Sequence, residues 1–157
     1  MARKKPFWDE SASASLNARA RLPELVRAYF EEGRKLMSPA PSPAAMHRFR
    51  LHTKALRYTV ELFRPCYGPG LDRRLSGLRK IQDCLGAMND YATTKNLIAS
   101  KLPAKDPERL RMSRLLTARA KRKCAEFRRY WQRSFDKQGE ERRWMTYLAR
   151  PRVSRGQ

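Results

Sequence analysis

The sequence has little of what marks secreted, membrane-spanning or β-rich proteins. It has three cysteines in 157 residues, Cys66, Cys84 and Cys124, and none has zinc-ligand spacing to another cysteine or a histidine. No run of about 18 uncharged apolar residues occurs, and the N-terminus lacks the apolar stretch of a signal peptide. Few segments alternate polar and apolar residues, which argues against strands. We therefore expect buried free thiols and a cytoplasmic protein that does not enter the membrane.

Acidic residues are also scarce beside basic ones. Fifteen Asp and Glu stand against 36 Lys and Arg, which gives a formal charge of +21. Self-repulsion of that size destabilises a folded chain unless a polyanion neutralises it. The charge alone does not choose among nucleic acid, polyphosphate and an anionic membrane. Because 41% of the residues are apolar, a chain of this length can fill a core, and a wholly disordered basic tail is not expected.

Glycine is rare and the prolines fall in clusters, so the prolines divide a sequence that otherwise reads as long helices. The clusters are SPAPSP at 38–43, PCYGPG at 65–70 and LPAKDP at 102–107. They predict four helices and a short fifth piece, EERRWMTYLA. The four predicted helices span residues 16–37, 44–64, 71–100 and 107–136. Pro23 either begins the first of them or kinks it.

Short connections between successive helices favour antiparallel neighbours. The predicted fold is therefore all-α, an antiparallel four-helix bundle unit with long helices. No internal repeat and no Gly-Ser linker divides the chain. We expect a flexible N-terminal segment at 1–15, a single helical domain at 16–150 and a basic C-terminal tail at 151–157.

The second predicted helix carries its charges in an unusual place. Its basic row lies on one face, between two apolar stripes, and a separate polar face of Arg48, His52 and Thr59 accounts for solvent exposure. One apolar stripe consists of Phe49, Leu56, Val60 and Phe63, and the other of Leu51, Ala55 and Leu62. Unpaired cations between packed surfaces are costly, so the row predicts a wet groove that holds anions. The row consists of His47, Arg50, Lys54, Arg57 and Tyr58, with Glu61 able to compensate one cation.

Further candidates lie on the other helices. The third helix has hydrogen-bonding and small residues along the edge of its apolar arc: Arg79, Gln82, Gly86, Asn89 and Thr93. Gly86 in mid-helix indicates either a close approach to the backbone or a local kink. On the fourth helix Arg114, Lys121 and Arg128 recur at seven-residue intervals. Arg27 and Arg34 on the first helix are also seven apart, and for these two the solvated-face interpretation is the better one.

These motifs resemble a known family. The segment HRFRLHTKALRY resembles the motif of the CHAD domain, the conserved histidine α-helical domain, in which a histidine is followed by spaced basic residues and an aromatic residue. LRKIQDCLGAMND is similar to the family's second motif through Leu78, Arg79, Gln82, Leu85, Gly86, Asn89 and Asp90, and WQRSF resembles its last helix. The resemblance covers roughly residues 16 to 136.

The resemblance implies a helical domain that binds inorganic polyphosphate in a basic central groove, often on polyphosphate granules. Family members usually carry two four-helix units, whereas this chain is long enough for one. We therefore expect a homodimer that rebuilds the double groove by symmetry. The predicted polyphosphate-binding residues are His47, Arg50, Lys54, Arg57, Tyr58, Arg79, Gln82, Arg114, Lys121, Arg128, Arg27 and Arg34.

Two other functions are open at this stage. A nonspecific nucleic-acid-binding helical protein would use the same charge, although no helix-turn-helix, zinc finger or RNA-recognition motif is apparent. An enzyme acting on polyphosphate would need carboxylates to hold magnesium, and Glu61, Asp83 and Asp90 make no convincing cluster. We expect no catalysis, metal or cofactor. His47 either hydrogen-bonds across helices or contacts phosphate as an imidazolium, in which case affinity grows as the pH falls.

Overall fold

A computed structural model describes residues 8–38 and 41–152, and within these ranges it contains helices and turns but no strand. The predicted all-α class is confirmed, and the short fifth piece is a helix. The five helices are α1 (Ala14–Lys35), α2 (Pro43–Leu62), α3 (Gly70–Lys101), α4 (Pro107–Tyr130) and α5 (Glu140–Leu148). A 3₁₀ turn, Arg64–Cys66, follows α2, and a π-helical turn, Trp131–Phe135, continues α4.

Short polar residues and prolines begin three of the helices. The Ser13 side chain accepts a hydrogen bond from the third backbone N–H that follows it, and Ser42 does the same at the start of α2. Asp106 accepts two backbone hydrogen bonds at the start of α4. Pro43 and Pro107 come next, where a helix leaves N–H groups unpaired and the missing N–H of proline costs nothing. The proline clusters therefore mark helix starts as well as loops.

The ends of the domain differ in part from the expectation. Helix α1 begins at Ala14 and runs through Pro23, so the interpretation in which Pro23 begins the helix is wrong. In the segment predicted to be flexible, the Trp8 ring stacks on Phe63 at 5.3 Å and Asp9 exchanges hydrogen bonds with Asn17. Residues 1–7 and 153–157 of the two predicted terminal segments lie outside the described residues.

An aromatic cluster forms the centre of the core. The Trp131 ring has its centroid 5.0 to 6.2 Å from five other aromatic rings, and it can lie there because Gly33 has no side chain. A Cβ on Gly33 would come within 2.1 Å of the indole. The rings around Trp131 are Tyr29, Phe30, Phe49, Phe127 and Phe135. Helices α1, α2 and α4 and the π-helical turn therefore meet at Trp131.

The core does not extend along the whole of α3 and α4. The last buried residue of α3 is Leu85 and the first of α4 is Leu116. Further along α3, Met88 is half-buried and Ala92 is exposed. Because α3 has 32 residues and α2 only 20, the C-terminal third of α3 has α4 as its packing partner and reaches beyond the core.

The thiols follow the same division between core and surface. Cys66 and Cys84 are buried as expected, and burial raises the pKa of the Cys84 thiol. Cys124 is half-exposed, so the expectation of a buried thiol is wrong at that position.

No helix in the described ranges has an apolar stretch long enough to cross a bilayer.

Contacts between α2 and α3 come in reversed order along the two helices. His47 near the start of α2 contacts Asn89, and Glu61 near its end contacts Arg79. The same holds for α3 and α4, because Lys95 donates to Thr117 while Lys80 lies over the Tyr130 ring. Each of these neighbouring pairs therefore runs in opposite directions.

Candidate anion-binding face

The basic row of α2 faces α3. Phe49, Leu56 and Val60 are buried in the core, and this fixes the rotation of α2 about its axis. The row then falls on the flank of α2 beside α3. We call the resulting surface the α2–α3 face. It consists of His47, Arg50, Lys54, Arg57, Tyr58 and Glu61 from α2 and Arg79, Gln82 and Asn89 from α3.

Arg57 is the most constrained cation of this face. Its Nε donates to Oε1 of Gln82 at 2.8 Å, and one terminal nitrogen donates to Oε1 of Glu61 at 2.7 Å. Its guanidinium carbon lies 4.3 Å from the centre of the Tyr58 ring. Only 12% of the side chain is exposed. Sequence reasoning placed Arg57 and Gln82 in one site, and the structure joins them directly.

Glu61 connects two arginines. The same oxygen, Oε1, accepts from Arg57 and, at 2.9 Å, from Arg79. Glu61 still supplies a single negative charge, and that charge is shared between the two arginines. Arg57, Arg79 and Glu61 together carry a net charge of +1. Half of the Arg79 side chain is exposed to solvent.

Two cations of the face have no carboxylate partner among the described residues. Lys54 is exposed, and its ammonium lies 5.8 Å from the centre of the Tyr58 ring. Arg50 is half-buried, and its Nε is buried without a hydrogen-bond partner. A buried donor left unpaired is costly, and Arg50 is the cation of this face that carries one.

His47 contacts α3 through one ring nitrogen. Its Nδ1 lies 3.1 Å from Oδ1 of Asn89. An amide oxygen accepts hydrogen bonds, so Nδ1 is the donor in this pair and Nε2 is left for another partner. The cross-helix hydrogen bond of the structural interpretation is present. Because His47 is exposed, the bond leaves the ring open to a ligand.

Gly86 lies on the same edge of α3 as Gln82 and Asn89. A Cβ built there would meet nothing within 4 Å among the described residues. The glycine therefore does not serve a close helix contact, and α3 continues through it without a break. This open space leaves room for something from outside the chain to approach the backbone at Gly86.

In the single chain, one of the two apolar stripes that flank the basic row of α2 is packed. The stripe of Phe49, Leu56 and Val60 is buried, but Leu51 and Leu62 of the second stripe are exposed. Among the residues that the structure describes, the second predicted side is therefore not packed. The separate polar face also differs from its expectation as a plain solvated surface, because Nδ1 of His52 contacts a carboxylate oxygen of Glu32 on α1.

The arginines of α1 lie in a different place. Arg34 donates to both oxygens of Asp136, at 2.8 and 2.7 Å, and to Glu141 at 2.5 Å. These bonds, the one to Asp136 first, raise the pKa of its guanidinium. Arg27 is exposed and lines the same open pocket. We call Arg27, Arg34, Asp136 and Glu141 the α1–α5 cluster. For Arg34 the solvated-face interpretation misses two acidic partners.

The predicted residues of α4 form a row of their own. Arg114 and Lys121 are exposed and line one shallow pocket, and Lys121 and Arg128 line the next. Arg128 donates to the backbone oxygen of Met37 at 3.0 Å. No hydrogen bond, ion pair or ring contact among residues 8–38 and 41–152 joins this row to the α2–α3 face.

Asn89 and Glu61 belong to the face but are missing from the list of predicted polyphosphate-binding residues, although both lie on the patterns that gave that list. Asn89 lies seven residues after Gln82 on the edge of α3, and that spacing was the available signal.

A separate cavity of about 270 Å³ lies between α3, the π-helical turn and α5. The sequence does not predict this cavity, because the residues that line it are distant in sequence. Arg74 lines it, stacked on Tyr147 at 3.9 Å, and burial lowers the pKa of Arg74.

Residues 1–99 match the family model of the CHAD domain. The chain belongs to the CHAD domain family. The match contains both motifs of the α2–α3 face, so the resemblance at these helices is confirmed. The CHAD family is linked to polyphosphate. No curated protein and no solved structure shows a significant match to the chain.

Proposed function

We propose that this CHAD domain binds inorganic polyphosphate through the α2–α3 face. The observation that carries the proposal is the balance of charge on that face. Arg50 and Lys54 have no carboxylate partner among the described residues, and Arg57 and Arg79 share a single carboxylate. Polyphosphate offers closely spaced oxyanions and no bases, so it fits a surface that is rich in cations.

The residues of the face have different tasks in this proposal. Arg50 makes the first contacts, since it does not have to leave a carboxylate, and Lys54 adds its charge beside it. Arg57 and Arg79 then exchange part of their contact with Glu61 for phosphate oxygens. Binding releases counterions from the polymer, so the affinity falls steeply as salt rises. The open backbone at Gly86 lets the chain lie close to α3.

Several finer statements belong to the same proposal. The four long helices act as one antiparallel bundle unit, two copies pair as a homodimer, and binding targets the protein to polyphosphate granules. The protein binds the polymer and does not transform it. In the dimer, the exposed second stripe of α2 supplies the packed surface that the single chain lacks.

Nonspecific binding to nucleic acid is the second candidate. One observation favours it: the pocket lined by Lys121, Arg128, Arg129 and Arg133 has no carboxylate in its lining. Such an open basic surface suits a duplex phosphate backbone. It does not use the α2–α3 face, and the two functions are therefore separable by mutation.

The test is calorimetric titration with long-chain polyphosphate and with a charge-matched DNA duplex at about 0.15 M salt. We expect Arg50→Ala/Lys54→Ala to lower polyphosphate affinity by about ten-fold or more, since two charge-assisted contacts are lost. The matched control is Arg27→Ala/Lys35→Ala, which removes the same charge from exposed positions of α1. Equal losses in both variants, or equal binding of duplex and polyphosphate, would refute the proposal.

A further inference from the structure

Helix α2 carries an apolar stripe that none of the residues in 8–38 and 41–152 covers. Leu51 is 48% exposed, Tyr58 47% and Leu62 78%, and Ala55 between them is also exposed. Leu62 is the most exposed large apolar residue of the described chain. The stripe lies on the far side of α2 from the buried residues Phe49 and Leu56.

The spacing of the stripe is that of a coiled-coil seam. Its residues, Leu51, Ala55, Tyr58 and Leu62, follow one another at intervals of four, three and four. This is the alternation by which one helix packs its knobs into the holes of another. A surface of this kind needs a helix as its partner, since a helix presents the complementary seam.

The stripe is complementary to itself when two copies run in opposite directions. If Leu51 is set against the partner's Leu62, the same register sets Ala55 against the partner's Tyr58. Both pairs then occur twice, related by a twofold axis, and each pairs a small or aliphatic residue with a larger one. A twofold interface requires this property, because one patch must meet its own copy.

The charges beside the stripe agree with that register. Lys54 and Glu61 flank it on one side, seven residues apart, and in an antiparallel pair Lys54 lies near the partner's Glu61. Oxygen Oε1 of Glu61 accepts from Arg57 and Arg79, whereas Oε2 has no partner among the described residues. Lys54 is likewise without a carboxylate. The pairing supplies each with an opposite charge.

We propose that α2 pairs antiparallel with α2 of a second copy of this chain through Leu51, Ala55, Tyr58 and Leu62. The proposal deepens the proposed function and rests on it, since the pairing is the form of the proposed dimer. It sets the α2–α3 faces of two copies side by side across the twofold axis. A polyphosphate chain can then pass from the cations of one copy to those of the other.

The first test is sedimentation velocity without ligand at tens of micromolar protein and about 0.5 M salt, where a Debye length of about 4 Å screens the repulsion between copies. We expect a dimer for the parent and a monomer for Leu51→Glu/Leu62→Glu. The matched control is Leu16→Glu/Leu97→Glu, two leucines that are each 58% exposed elsewhere, and it remains a dimer. A monomeric parent, or a control that dissociates equally, overturns the proposal.

A second test measures the register by cross-linking with a short bis-maleimide in a Cys124→Ser background. The variant Leu51→Cys/Leu62→Cys is expected to give covalent dimers. Leu51→Cys alone is expected to give none, because its two copies lie about 16 Å apart along the antiparallel pair. Dimers from Leu51→Cys alone indicate a parallel pair, and dimers from neither variant indicate another interface. Either result overturns the proposal.

Calorimetry separates this proposal from the function on which it rests. If Leu51→Glu/Leu62→Glu is monomeric and binds polyphosphate with fewer phosphates per chain, both proposals stand. If the parent is monomeric and still binds polyphosphate through Arg50 and Lys54, the pairing is wrong and the function remains. If the parent pairs in this register but does not prefer polyphosphate, the function is wrong and the interface remains.

Discussion

The α2–α3 face and the α1–α5 cluster are two basic regions that look alike in the sequence and differ in the structure. Both contain basic residues separated by seven positions, Lys54 and His47 on α2 and Arg27 and Arg34 on α1. In the α1–α5 cluster, one arginine, Arg34, has two carboxylates, those of Asp136 and Glu141, within hydrogen-bond distance. On the face, two arginines share one carboxylate and two further cations have none among the described residues.

The partner of a cation, and not its spacing along the sequence, decides what the cation can do. Asp136 and Glu141 come from the far end of the chain, so nothing near Arg34 in sequence reveals them. A cation that already has two acidic partners gains little from an anionic ligand. A cation without a carboxylate partner gains the full interaction with an anionic ligand. The following predictions test this difference between the two regions.

The largest effect is expected from Glu61→Gln. Without this carboxylate, Arg57 and Arg79 are free for phosphate, so polyphosphate affinity rises by about ten-fold, or ~1.4 kcal/mol. Calorimetry at constant salt measures the change. Glu141→Gln removes the same charge from the α1–α5 cluster and is expected to leave the affinity within about two-fold. An unchanged or lower affinity for Glu61→Gln would mean that the carboxylate holds the arginines in place for binding.

A smaller effect, on stability, is expected from Arg34→Met. The variant leaves Asp136 and Glu141 without their partner, and the free energy of unfolding falls by about 1 kcal/mol after allowance for solvent screening of a guanidinium that is nearly half exposed. Urea denaturation measures this. Polyphosphate affinity is expected to stay within about two-fold of the parent. Arg27→Met, which breaks no ion pair, serves as the control, and an equal loss there would contradict the argument.

The smallest effect is expected from the two histidines of α2. If Nε2 of His47 contacts phosphate, the imidazolium form binds better, and affinity rises by about three-fold as the pH falls from about 8 to about 6. His47→Gln abolishes this dependence. His52→Gln keeps it, because His52 faces α1 and pairs with Glu32. A pH dependence that survives in His47→Gln leaves His47 with its structural role alone.

Local signals were sufficient to predict the helices. Prolines and short polar residues begin α1, α2 and α4 within two residues of the predicted starts, because capping depends on neighbours in sequence. The burial of Phe49, Leu56 and Val60 was predictable for a similar reason, since helical periodicity sets which residues share a face.

Other features depend on residues that are distant in the chain. The pairing of Arg34 with Asp136 spans 102 positions, and the contact of Gly33 with Trp131 spans nearly as many. The exposure of Leu51 and Leu62 was not predictable either, because apolar residues on a helix indicate a packed surface without saying whether the same chain packs on it.

An all-α chain, the starts of its four long helices to within two residues, the large excess of positive charge and the basic row of α2 could all be predicted from the sequence, since each depends on composition or on neighbours within a few turns. Which cations are neutralised could not be predicted in this way. Coulomb attraction and hydrogen bonding act over a few ångströms, and helix packing determines which charges come that close.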